Sequence, residues 1–259
     1  MNFVAAVALF WMLAPQALSP AARNEDFSLR IPPQNIPLTV ENQPLTIIAS
    51  GNISVASRGR EYILKLELDA DLSDLQQNMT ALLRSQLDKN EPCGDRIVIQ
   101  HATLMPVGPA GEAVVQLHYE RFACVKAFGK KMTKKLVGGN GTIQMKFTPT
   151  VEDRKTLQLV PEVESIQADG SLGELLRSGS VGAMVREKLT KALLSAMQKG
   201  TDRSLTVPPA VQDIAMIDQA RFEDEGSGRL GLVLQGEVAI SQQQIQLLKT
   251  QLKERMPAR

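Results

Sequence analysis

The chain has 259 residues, of which 43% are hydrophobic, 22% are charged and 4% are aromatic. This composition argues against a disordered chain, and the formal net charge of +1 gives no general signal for nucleic-acid binding. The length suits one elongated domain or two small ones. Because the chain has ten Met and few aromatic residues, we expect a core of Leu, Ile, Val and Met.

The N-terminus, residues 1–21, has the pattern of a secretory signal peptide. Its apolar run from Phe3 to Ala14 is short for a membrane span, and Ser19 and Ala21 form a cleavage pattern before Ala22. Because no Lys or Arg precedes the apolar run, an uncleaved N-terminal anchor is the alternative. We predict that the protein is exported, to the periplasm.

Strand-like segments surround two helical stripes along the rest of the chain. Apolar residues alternate with polar ones in REYILKLELDAD and in GTIQMKFTPT, which is typical of antiparallel strands with one buried face. Residues 72–89 and 171–199 instead place Leu, Val and Met at intervals of three and four, which predicts two helices with an apolar face.

The sequence contains an internal repeat. RIVIQHATLMPVGPAGEAVVQLHYER at 96–121 and DIAMIDQARFEDEGSGRLGLVLQGEV at 213–238 share an Ala, a bulky apolar residue two positions later and a glycine-containing turn. We predict a first β-β-α-β-β unit at 36–124, a basic linker at 125–137, and a second unit at 138–259 that ends in a helix. Strands grouped around helices favour an α+β fold rather than a doubly wound nucleotide-binding fold.

The two cysteines, Cys93 and Cys124, flank the first hairpin. In an exported chain such a pair predicts a structural disulfide. The chain-entropy model gives roughly 3–4 kcal/mol for closing a loop of this length. A redox or metal pair is the alternative, and the only two histidines, His101 and His118, support it poorly.

The order of elements resembles the tubular lipid-binding superfamily, which includes bactericidal/permeability-increasing protein and bacterial periplasmic relatives. The resemblance implies two repeated units, each a curved antiparallel sheet wrapped around a long apolar helix. It also implies that the protein binds a lipid or similar amphiphile in an apolar groove within the cell envelope, with transfer of that ligand between membranes as a further expectation. The candidate lipid-binding residues are Leu75, Met79, Leu82, Leu83, Met184, Leu189, Leu193 and Met197.

The same apolar stripes have a second interpretation, because Leu and Met at helical spacing commonly belong to a filled core. In that case the protein is a non-enzymatic envelope scaffold or adaptor that binds protein partners through its exposed faces. An enzyme is the least favoured class. The sequence has no metal-ligand spacing, nucleophile elbow or phosphate loop, and we predict no catalytic residue, metal or cofactor.

A basic segment, KAFGKKMTKK, separates the two units and interleaves lysines with Phe128 and Met132. A solvated linker explains this composition, and contact with an anionic membrane surface is the functional alternative. Nucleic acid is not an expected partner of an exported chain. The candidate membrane-contact residues are Lys126, Lys130, Lys131, Lys134 and Lys135.

Overall fold

The computed structural model describes residues 27–58, 61–88, 92–127, 130–154, 156–177, 179–201 and 215–241. The predicted signal peptide and nearly all of the predicted C-terminal helix lie outside these residues. Within them, strand accounts for 67% and helix for 23%, so the protein is mostly antiparallel sheet. The strands are Phe27–Val40 (β1), Gln43–Arg58 (β2), Glu61–Asp71 (β3), Gly94–Val107 (β4), Ala110–Ala127 (β5), Lys130–Glu152 (β6), Thr156–Ala168 (β7), Ala215–Asp224 (β8) and Leu230–Ser241 (β9). The helices are Ser73–Leu87 (α1), Gly170–Arg177 (α2) and Ser180–Thr201 (α3).

The strands form two sheets. A five-stranded sheet has the order β1-β2-β3-β9-β8, and a four-stranded sheet has the order β4-β5-β6-β7. Every pair of neighbours is antiparallel. Each sheet therefore combines strands from the first and second halves of the chain.

The predicted fold, two repeated units that each wrap a curved sheet around a long apolar helix, is wrong. Strands β8 and β9 of the predicted second unit join β3 of the first, and β5 of the first continues through a hairpin into β6 of the second. The single helix expected at 171–199 is broken between α2 and α3. Gly179 there has φ of +98°, a backbone conformation that glycine adopts much more readily than other residues.

The two similar hairpins of the sequence share a structural irregularity. In β4 the pairing register with β5 shifts between Ile99 and His101, and in β8 the register with β9 shifts between Ile217 and Gln219. These β-bulges lie at corresponding positions of the two hairpins, and a bulge increases local twist and bends a strand. The similarity of the two segments therefore extends to backbone geometry.

One contiguous hydrophobic core joins the two sheets and the three helices. Helix α1 contacts β2 and β9 of the five-stranded sheet and β4 of the four-stranded sheet, while α3 contacts β1, β7 and α1. The alternation predicted from sequence is visible in β6, where Ile143, Met145 and Phe147 are buried. The helices thus fill the space between the sheets and lie against the outermost strands β1, β4 and β7.

Candidate functional site

The eight predicted lipid-binding residues come together in the core. Seven of them are at most 3% exposed, and the eighth, Met184, is partly buried and packs against the same cluster. They lie on α1 and α3, which contact one another. The structure therefore brings these side chains together, in a packed arrangement.

Complete burial constrains what can lie beside these side chains. A space that holds an acyl chain is also wide enough for water, so a side chain on its wall keeps accessible surface. Met79, Leu82, Leu83, Leu189 and Leu193 each have a relative exposure of 0%. In this conformation their neighbours are other protein atoms, as in a close-packed interior.

A shallow cleft lies elsewhere, between β7 and the helices α2 and α3. It has a volume of about 410 Å³ and opens broadly to solvent. None of the eight predicted lipid-binding residues lines it. The lining residues are Val163, Glu164, Ser165, Ile166, Arg177 and Arg186.

The basic segment forms the end of a hairpin rather than a separate connection. Residues 125–127 complete β5 and residues 130–137 begin β6. Strand β4 begins opposite Phe122, and β7 ends opposite Gly141. Residues 123–127 and 130–134 therefore pair only with one another among the described residues, and we call this two-stranded projection the arm.

Exposed apolar side chains accompany the lysines of the arm. Val125 lies directly opposite Met132, and the two are 59% and 61% exposed. Leu136, next to the arm at a register shift in β6, is 59% exposed. Sequence analysis did not assign these residues to a site, although the position of Met132 between lysines was a signal for it.

An ionic cluster lies where the arm joins the sheet. The Glu120 carboxylate accepts a hydrogen bond from Lys135 at 2.6 Å, and Arg96 and His118 approach it at 3.8 and 3.5 Å. The hydrogen bond from Lys135 is the main reason why the pKa of Glu120 lies below its usual value. Of the two candidate lysines with described side chains, Lys135 is thus neutralised by a partner, whereas Lys134 is exposed.

The predicted disulfide is confirmed. Cys93 and Cys124 are bonded, with their Cα atoms 5.7 Å apart. Cys93 directly precedes β4, and Cys124 lies in the arm, two residues beyond the last β4–β5 pair at Phe122. The bond therefore ties the arm to the start of β4, and its presence is consistent with an oxidising, exported location.

The two histidines lie apart from any metal-binding group among the described residues. His101 is exposed, and His118 Nδ1 lies 2.8 Å from Asn140 Oδ1. Across the described ranges, no group of three or more His, Cys, Asp or Glu side chains is arranged to hold a metal ion.

No helix among the described residues is both long enough and apolar enough to cross a membrane. Comparison of the chain with models of protein families, with curated proteins and with solved structures finds no match. The resemblance to the tubular lipid-binding superfamily accordingly stays a prediction from sequence.

Proposed function

We propose that this protein is a non-enzymatic scaffold or adaptor of the cell envelope, built on a filled core. The observation that carries the proposal is the burial of the predicted groove residues. Leu82 of α1 and Leu193 of α3 have no accessible surface and belong to the same core cluster. A core of this kind favours a rigid body that presents surfaces over a container for an amphiphile.

The sheet topology supports the same function. Because β3 pairs with β9 and β5 with β6, the two halves of the chain are held together by backbone hydrogen bonds in both sheets. The disulfide adds a covalent link on the side of the four-stranded sheet that carries the arm. A frame with these constraints is suited to holding an exposed element in a fixed orientation.

The core can be tested by enlarging two buried side chains and one exposed side chain in the same way. In a filled core, Leu82→Trp and Leu193→Trp lower the free energy of unfolding by about 1–3 kcal/mol or more, because the packing has no room for the indole. Leu175→Trp is the matched control, because Leu175 is 37% exposed on α2, and we expect little change. Urea denaturation measures all three.

A second measurement covers the case in which the tryptophan variants do not fold. Leu82→Ala costs about 2–5 kcal/mol in a packed core, and much less on the wall of a wide groove. Native mass spectrometry of the protein purified from its own cells should give the mass of the chain alone. Co-purifying lipid that Leu82→Trp removes without loss of stability would replace this proposal with the groove.

A further inference from the structure

The arm extends beyond the four-stranded sheet as an isolated pair of strands. Five residue pairs, from Ala123 opposite Lys134 to Ala127 opposite Lys130, have no third strand beside them among the described residues. At about 3.3 Å per residue this is a projection of roughly 15 Å. Such a two-stranded element exposes both of its faces and is marginal by itself in water.

The charge of the arm is unbalanced. Residues 123–134 contain four basic residues and no acidic residue, although the whole chain has a net charge of only +1. Lys126 lies directly opposite Lys131 in the strand pair. Like charges at opposite positions destabilise an antiparallel pair. The arrangement is therefore unfavourable for the isolated protein, and an anionic partner would relieve it.

The apolar side chains narrow the choice of anionic partner. Val125 and Met132 are opposite each other and mostly exposed, and the alternation of strand side chains places Lys134 on the same face. A soluble polyanion would neutralise the charge of the lysines but would leave these apolar side chains in contact with water. The boundary between phospholipid headgroups and acyl chains accepts both groups.

We propose that the arm docks onto an anionic phospholipid bilayer. Lys134 lies near lipid phosphates, and Val125 and Met132 on the same face enter the boundary between headgroups and acyl chains. The disulfide at Cys124 fixes the base of the arm, so the orientation of the body at the membrane is set before contact. This inference rests on the proposed envelope function for the location, and names the surface to which the adaptor attaches.

The test is sedimentation of the full chain with vesicles of phosphatidylcholine alone or mixed with phosphatidylglycerol. We expect binding to the mixed vesicles that weakens as salt is added, and little binding to the neutral ones. Lys130→Gln with Lys134→Gln, at positions that alternate with Met132 along the same strand, weakens binding about 30-fold. Each lysine near an anionic leaflet contributes about 1 kcal/mol, and about 1.4 kcal/mol corresponds to a factor of ten. Lys126→Gln with Lys131→Gln should unfold at higher urea concentration than the wild type, because the like-charge pair is gone.

The matched control is Lys188→Gln with Lys191→Gln, which removes the same charge from exposed positions of α3. It should leave vesicle binding within about twofold of the wild type, because these lysines lie away from the arm. Met132→Ser separates a bilayer from a soluble polyanion. It should weaken vesicle binding about tenfold while leaving binding to a heparin column unchanged.

Equal binding to neutral and anionic vesicles would overturn the inference, as would an equal loss in the Lys130→Gln, Lys134→Gln variant of the arm and the Lys188→Gln, Lys191→Gln control. Binding that depends on the lysines but not on Met132 would assign the arm to a soluble polyanion instead. These outcomes are independent of the core. A failure of the filled-core proposal would appear as co-purifying lipid and tolerant core variants, whether or not the arm binds vesicles.

Discussion

Thr80 of α1 forms two hydrogen bonds with the backbone of Ala102 in β4. Its hydroxyl donates to the Ala102 carbonyl at 3.0 Å and accepts from the Ala102 N–H at 2.9 Å. Neighbouring side chains continue the pattern, since Gln76 donates to the Leu104 carbonyl and Arg84 donates to the Ile99 carbonyl. An outermost strand normally leaves such groups unpaired and open to other chains. Helix α1 pairs them instead.

Replacing Thr80 by Val therefore lowers the free energy of unfolding by about 1–3 kcal/mol. The substitution keeps the shape of the side chain but leaves the N–H and carbonyl of Ala102 without their partner. Thr80→Ser is the control, because it keeps the hydroxyl, and we expect a smaller loss. Equal losses for Val and Ser in urea denaturation would show that the methyl group, not the hydroxyl, stabilises this contact.

Sequence patterns predict the local structure better than the assembly. The alternation in β6, the apolar face of α1, the disulfide and the two similar hairpins each depend on a single stretch of the chain, and each is present in the structure. The pairing of Leu66 with Gly236 joins distant segments, and the alternation of β3 suits many other partner strands equally well. The repeat in the sequence therefore favoured the wrong grouping of strands.

The candidate sites show the same contrast between local patterns, which sequence predicts, and assembly, which it does not. Apolar spacing identified Leu82 and Leu193 as inward-facing, but a buried core residue and a groove wall have the same spacing. The lysine cluster was visible in sequence, whereas its position on an isolated strand pair follows from where β4 and β7 end. The polar stripe of Gln76, Thr80 and Arg84, four residues apart on α1, was an available signal for a covered strand edge.

The break between α2 and α3 gives a second prediction. A Cβ added at Gly182 would lie 2.1 Å from the carbonyl oxygen of Leu176, a distance at which backbone must move. Helix propensity alone would make Gly182→Ala stabilising by about 1 kcal/mol. We expect the opposite sign, with a loss of about 1–3 kcal/mol from overpacking, measured by thermal or urea unfolding.

The neighbouring exposed residue supplies the comparison for that variant. Ala183→Gly, one position along α3, should follow propensity and cost about 1 kcal/mol. If Gly182→Ala raised stability by a similar amount, the close approach of the two helices would not constrain the residue at this position.

The buried Tyr119 gives a prediction at alkaline pH. Burial raises the pKa of its phenol above the ordinary value, and the hydrogen bond that it donates to Asp95 raises it further. A raised pKa means that folding favours the protonated phenol. Its contribution to stability is therefore complete below the unfolded-state pKa of about 10 and is lost as pH rises beyond it.

Tyr119→Phe removes this contribution, so the difference in stability between wild type and variant should shrink above about pH 10. At neutral pH we expect a loss of about 1–3 kcal/mol, because the partly buried Asp95 loses a hydrogen-bond donor. Unfolding at several pH values measures the difference, and the ultraviolet absorbance of phenolate reports the titration. A difference that is constant up to the alkaline limit of the assay would contradict the assignment.

Asp69, on β3, gives a prediction that removing a charge stabilises the protein at neutral pH. Burial raises the pKa of its carboxyl above the usual value, and the nearby carboxylates of Glu67 and Glu223 add to the shift. Folding therefore favours the protonated acid. The contribution of Asp69 to stability is complete below the unfolded-state pKa of about 3.9 and is lost as pH rises through the folded-state value.

Asp69→Asn should accordingly stabilise the protein at pH 7. The gain should be at most about 1 kcal/mol, because solvent screens this partly exposed group. It should vanish below about pH 4, where the carboxyl is protonated in both states. Glu162→Gln is the control for the change in net charge. Glu162 is exposed on β7, so this variant should leave stability nearly unchanged at both pH values. Urea denaturation at pH 3 and pH 7 distinguishes the two variants. An equal gain in stability for both variants would mean that the overall charge determines the effect. A gain for Asp69→Asn that persists at pH 3 would mean that the new amide, rather than relief of the clustered carboxylates, determines it.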